Sequence, residues 1–147
     1  MVLYLLLNRH LLWQTADEAL THSAACAKKI FTSKSKISRA KFDEKVLEQQ
    51  MKQVLESKGL DSDVPLENLN PGACKTFVVA NRTRASGSAV LMRTYNNYPS
   101  TNAFHATILQ AARATTAAPT LFLLIVINNI EYADGGVECN NPVQLVC

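Results

Sequence analysis

Between residues 40 and 57 the apolar side chains Phe42, Val46, Leu47, Met51, Val54 and Leu55 recur every three or four positions. Glu44, Lys45, Glu48 and Lys52 fall between them and face away. That spacing predicts an amphipathic helix, with Ser38 as its cap and Gly59 as its stop. Upstream, Thr15-Ala16-Asp17-Glu18 has the pattern of a capping box, and a helix is expected from there to about residue 30. Residues 32–39, rich in Ser and Lys, read as the loop between the two helices. After Pro71 the period shortens. Residues 75–80 form an almost continuous apolar run, as in a strand buried on both faces, and residues 89–95 predict a second strand. Residues 82–88 supply a turn and 96–102 a loop. An Ala-rich helix is expected over 103–115, closed by Pro119. A strand over 121–127 and a short apolar segment over 130–133 complete the series. Helix, helix, strand, strand, helix, strand is the order of a layered α/β domain.

The first seven residues are apolar almost throughout, too few to span a bilayer. No cation precedes them and no small-residue cleavage site follows, so neither a signal peptide nor a transmembrane segment is expected. The run reads as a buried helix that starts without polar lead-in or cap. Both ends look cut, so the 147 residues are expected to be one partial domain of a larger α/β unit. Residues 3–7 would then pack on strands ahead of Met1, leaving apolar surface open.

Composition adds little and excludes several classes. A hydrophobic share of 48% with 18% charged residues is globular and rules out a wholly disordered chain. The net charge of +3 gives no reason to expect a nucleic-acid partner. Residues 28–58 are locally basic, with nine Lys or Arg against four Asp or Glu. This reads as a solvated helix face, with an anionic membrane surface as the alternative. Cys26, Cys74, Cys139 and Cys147 show no C-x-x-C spacing, and His10, His22 and His105 are scattered. No disulfide framework, metal or other cofactor is expected, and the cysteines read as reduced thiols of an intracellular protein.

Two segments carry candidate chemistry. The first, residues 110–120, is rich in small residues that let a helix pack closely on its neighbour, and it contains Arg113. The second is Tyr132-Ala133-Asp134-Gly135-Gly136 followed by Asn140-Asn141-Pro142. An aspartate ahead of two glycines, just past an apolar run, lies at a strand end, where catalytic groups gather in α/β sheets. The glycines allow close backbone approach or a positive φ.

Taken together, the run Ala-Ala-Arg-Ala-Thr-x-Ala-Ala-Pro-Thr at 111–120, the apolar stretch after it, Tyr-x-Asp-Gly-Gly at 132–136 and Asn-Asn-Pro at 140–142 resemble the end of the patatin-like phospholipase domain. Residues 74–80 and 91–95 are similar to that family's central strand and the next one. Residues 17–58 resemble its intervening helices, and residues 2–9 the helix directly after its nucleophile. The resemblance implies a partial three-layer α/β/α sandwich. It also implies a lipid acyl hydrolase acting on a lipid or phospholipid ester from the cytoplasm, peripherally at membranes, with no cofactor. In that family a Ser/Asp dyad does the chemistry: the aspartate takes the serine proton as the oxygen attacks the ester carbonyl, and amides of a glycine-rich loop hold the oxyanion. By resemblance, Asp134 is that aspartate, and Asp134, Gly135 and Gly136 form its motif.

The chain departs from the pattern in two places. It contains no Gly-x-Ser-x-Gly, and its only adjacent glycines are Gly135 and Gly136, so the oxyanion loop is missing too. Ser86-Gly87-Ser88 lacks the preceding glycine and the strand-to-helix context. A triad of Ser86, His105 and Asp134 has no local motif behind it. Arg113 is expected to make a structural salt bridge, with orientation of the Asp134 region as the alternative. Two readings follow: a lipid acyl hydrolase cut before its nucleophile and inactive alone, or a non-catalytic remnant that binds lipid surfaces or partners.

Overall fold

A computed structural model of the protein describes residues 15–36, 39–67, 75–84, 89–95 and 105–137. Among them three helices, α1 (Ala16–Thr32), α2 (Glu44–Ser57) and α3 (Ile108–Thr115), accompany four strands: β1 (Phe77–Arg82), β2 (Ala89–Arg93), β3 (Ile125–Ile127) and β4 (Ile130–Asp134). A 3-10 turn, Gly135–Val137, follows β4. The class is mixed α/β. The sheet has the order β2-β1-β4-β3 and every pairing is antiparallel.

Local chemistry explains each helix end. Thr15 caps α1 as a full capping box: its hydroxyl accepts from the Glu18 N–H at 3.3 Å, and the Glu18 carboxylate accepts from the Thr15 N–H at 2.9 Å. That backbone bond, together with the Thr15 hydroxyl, holds the Glu18 carboxyl below its usual range. Ala19, Ser23, Cys26 and Ile30 form the buried face of α1. The second helix starts later than its apolar spacing predicts. Its cap is Asp43, whose carboxylate accepts from the Lys45 N–H at 2.9 Å; Ser38 lies outside the described residues. Tertiary bonds displace the start. The Lys41 and Phe42 N–H groups donate to the carbonyls of Thr120 and Leu121, both at 2.9 Å, so this stretch is tied to another loop instead of joining the helix. Gly59, at φ 70°, ends α2 in the left-handed conformation that glycine adopts without strain.

The third helix begins at Ile108 rather than 103, with Thr107 and Gln110 forming a second capping box. It lies against β1, β3 and β4, and α2 packs on it, with α1 against α2. Ala111, Ala114 and Ala117 are wholly buried, so small side chains bring the helix close to the sheet, as the sequence suggests. The expected strand over 121–127 shrinks to three residues. Leu121 and Phe122 instead turn back, donating their N–H groups to the Ala118 carbonyl. Asn128 and Asn129, at φ 50° and 63°, join β3 to β4. Two consecutive positive φ angles in a two-residue loop are the mark of a type I′ hairpin.

β1 is buried on both faces from Val78 to Asn81, as its apolar run predicts. The core gathers Leu47, Met51, Leu55, Leu66, Met92, Ile127 and Tyr132 around it.

Thr120 sits at φ 70°. A β-branched residue in that region carries about 1–2 kcal/mol of strain. Its side chain is exposed, and asparagine tolerates the left-handed region far better. Thr120→Asn is therefore expected to stabilise the fold by about 0.5–1 kcal/mol, read as a rise in the urea midpoint.

Candidate functional site

Asp134 is the last residue of β4, an inner strand of the sheet. Its backbone is held from three sides. It stands opposite Ala80 of β1 in the ladder. Its N–H donates to the Ala117 carbonyl at 3.0 Å, just past the end of α3. Its carbonyl accepts from the Asn81 carboxamide Nδ2 at 3.3 Å. The carboxylate is half-buried, and its Oδ1 accepts from the Gly136 N–H at 2.8 Å. Tyr132, two residues back on the same face of β4, is wholly buried and anchors the strand in the core.

Gly135 is buried, and its role is close approach rather than a positive φ. A Cβ there would run into the Val79 carbonyl oxygen, and would lie 2.6 Å from the Val79 carbonyl carbon and 2.8 Å from its Cβ. The turn after Asp134 therefore rests directly on β1. Gly136 is exposed and contributes its amide to the carboxylate.

The structure does not bring His105 and Asp134 together. The His105 carbonyl accepts from Asn128 Nδ2 at 3.2 Å, which puts His105 beside the β3–β4 turn. Asp134 lies at the other end of β4, ~13 Å away along the strand at the usual rise per residue. Ser86, Gly87 and Ser88 lie outside the described residues, as do residues 2–9, Cys74, Cys139, Cys147 and the Asn140-Asn141-Pro142 segment.

Arg113 takes the structural role and not the orienting one. It is 2% exposed, its Nη2 donates to the Leu123 carbonyl at 2.7 Å, and its Nε lies 3.3 Å from Glu48 Oε1. Burial lowers the proton affinity of the guanidinium, and Glu48 and Glu44 work against that. Glu48, assigned to the solvated face of α2 by its spacing, thus faces α3 with part of its surface.

Asn81 is the neighbour of Asp134 that the sequence pattern does not single out. It is 4% exposed, and its Oδ1 is buried with no hydrogen-bond partner among the described residues. The available signal is a carboxamide directly after the apolar run of β1.

Among the described residues no three His, Cys, Asp or Glu side chains come together as a metal site. Nor is any helix among them long and apolar enough to cross a membrane. A comparison with the curated proteins returns no match. The family comparison matches the chain to Patatin-like phospholipase over residues 8–146. A match across nearly the whole length places this chain in the patatin-like phospholipase family, a family of lipid acyl hydrolases.

Proposed function

We propose that this chain carries the base half of a Ser/Asp lipid acyl hydrolase, with Asp134 as the general base, and that it does not hydrolyse esters alone. The supporting observation is the state of Asp134: its backbone is fixed by β1, Asn81 and Ala117, and its carboxylate is held on one oxygen by Gly136. A base fixed in this way accepts the serine proton with little reorganisation. The groups bonded to it are amides, carbonyls and a carboxamide, none of them nucleophilic. In this reading residues 1–147 act as one partial domain, and the nucleophile and oxyanion amides come from a Gly-x-Ser-x-Gly segment and a glycine-rich loop that these residues do not contain. The substrate class is a lipid or phospholipid ester, reached from the cytoplasm.

The purified chain, assayed on a short-chain nitrophenyl ester and on a phospholipid, is expected to stay at background, and Asp134→Ala to change nothing. Joining the missing segment, with its serine and glycine-rich loop, ahead of Met1 should produce a rate that Asp134→Ala returns to background. Turnover by the unextended chain that Asp134→Ala abolishes would sink this reading and direct attention to Ser86 and Ser88.

A second reading, a non-catalytic lipid-surface or partner-binding member of the family, is favoured by one observation: both catalytic motifs are absent from the sequence. It predicts that the extended chain also stays at background.

A further inference from the structure

The connection between α1 and α2 concentrates charge in a way the whole-chain balance conceals. Residues 28–45 hold Lys28, Lys29, Lys34, Lys36, Arg39, Lys41 and Lys45, and all seven are exposed. Only Asp43 and Glu44 oppose them in that stretch, a surplus of five in a chain of net charge +3. The remaining residues sum to a small negative charge. None of the seven makes an ion pair among the described residues.

Exposed apolar side chains lie on the same helix, one inside this basic region and one upstream of it, in the part of α1 that carries Asp17 and Glu18. Phe31 is 48% exposed in the last turn of α1, and Leu20 is 59% exposed. Eleven residues apart, they share one helix face, a quarter-turn from the buried one, with Ala24 and Ala27 between them. The Phe31 ring lies edge-on to Phe42 at 5.0 Å, and Phe42 meets Phe122 at 5.8 Å. Leu121, itself exposed, accepts the Phe42 N–H on its carbonyl. The Lys41 Nζ stands 5.4 Å from the Phe42 centroid, and the Lys41 carbonyl accepts from the Ser35 N–H, which brings Lys34 and Lys36 to the same loop. Lys41 and the lysines of its loop thus border a patch of which Phe31 and Leu121 are the exposed members.

We infer that this face, formed by the end of α1, residues 33–36 and 39–42 and Leu121, docks the protein on an anionic lipid surface. The charges supply attraction to acidic headgroups, and Phe31 and Leu121 enter the headgroup layer. A solvated helix face accounts for the lysines but not for the large apolar groups exposed among them. Nucleic acid would use the charge and leave the aliphatic side chains without a role. The docking also bears on the candidate base, because the loop that carries Leu121 begins at Ala117, which holds the Asp134 amide.

The test measures binding, not hydrolysis, so its result is independent of the assignment of Asp134. The full chain is sedimented with phosphatidylcholine vesicles, with and without about 30 mol% phosphatidylserine. Binding is expected only with the anionic lipid and should weaken as salt rises. Lys28→Gln, Lys34→Gln and Lys36→Gln together should lower it about a hundredfold, near fivefold for each charge. Phe31→Ser should lower it about tenfold. Lys52→Gln, Lys58→Gln and Arg84→Gln together remove the same charge from exposed positions outside the patch and should cost no more than a few-fold. Circular dichroism confirms that each variant is folded. Equal losses in the two triple variants, equal binding to neutral vesicles, or no vesicle binding would each overturn the inference. So would a single-stranded RNA oligomer that binds the same residues more tightly than the vesicles do.

Discussion

Gly135→Ala is expected to destabilise the protein by about 3 kcal/mol, at the upper end of what overpacking usually costs. The methyl group would overlap the Val79 carbonyl group, and backbone in an inner strand cannot rotate away as a side chain would. The strand has no slack to use: Val79 pairs with Leu91 on one side, and its neighbour Ala80 pairs with Asp134 on the other. Relief must come from the 3-10 turn lifting off β1, which also moves the Gly136 amide away from the Asp134 carboxylate. Against a typical total of 5–15 kcal/mol, roughly 3 kcal/mol is a large share. A urea titration checks the expectation, with Val79→Ala added as a second variant. The second substitution should not restore stability, because the two nearest atoms met by the new methyl belong to the Val79 backbone. A neutral Gly135→Ala would mean that the turn does not rest on β1.

Arg113→Ala is the second large expectation, also about 3 kcal/mol. Three elements meet at this guanidinium: it projects from α3, bonds the Leu123 carbonyl ahead of β3, and pairs with Glu48 of α2. Removing it leaves a half-buried carbonyl without its donor and a void where the side chain lay. Deleting one partner of a buried pair costs 3–5 kcal/mol in general. Glu48 is 39% exposed and rehydrates once Arg113 is gone, which keeps the loss near the low end. Arg113→Met fills the space without the donor and should cost less, about 1–2 kcal/mol. Denaturant midpoints order the two variants, and a Met variant as damaging as Ala would show that charge, not volume, dominates there.

The contrast between those two residues shows what sequence can convey. The small-residue run around Arg113 announces a closely packed helix, because side-chain volume is written directly in the letters. That Arg113 forms a salt bridge follows from its placement in such a run. Its partner Glu48 does not, since the helical spacing of α2 assigns Glu48 to solvent and knows nothing of α3. Asp134 at a strand end is legible for a similar reason: an apolar run followed by two glycines fixes where the strand must stop. Which strand Gly135 touches is not legible, because that depends on β1, far away in the chain. Capping boxes are local and should be readable everywhere. Thr15 with Glu18 is read, while Thr107 with Gln110 carries the same signal and is obscured by the alanines that extend the apparent helix upstream. Ser38 is a plausible cap by residue type, and Asp43 prevails because Lys41 and Phe42 are drawn into bonds with Thr120 and Leu121. The Asn128-Asn129 pair between two apolar runs is a hairpin signal that only its positive φ angles make plain.

The antiparallel arrangement of β4 has a kinetic consequence. Its pairing with β3 closes through two residues, an event of roughly 1–10 μs for a hairpin. Its pairing with β1 joins segments far apart in sequence; the Asn81 to Asp134 bond spans 53 residues. Loop-closure entropy opposes that second contact much more strongly than the first. The hairpin therefore forms early and brings Asp134 into being as a strand end with nothing beside it. Only when β1 arrives, with Val79 under Gly135 and Asn81 on the Asp134 carbonyl, does the aspartate acquire its surroundings. The candidate base is thus among the last features of the sheet to be assembled, and its environment records whether the long-range half of the fold has closed.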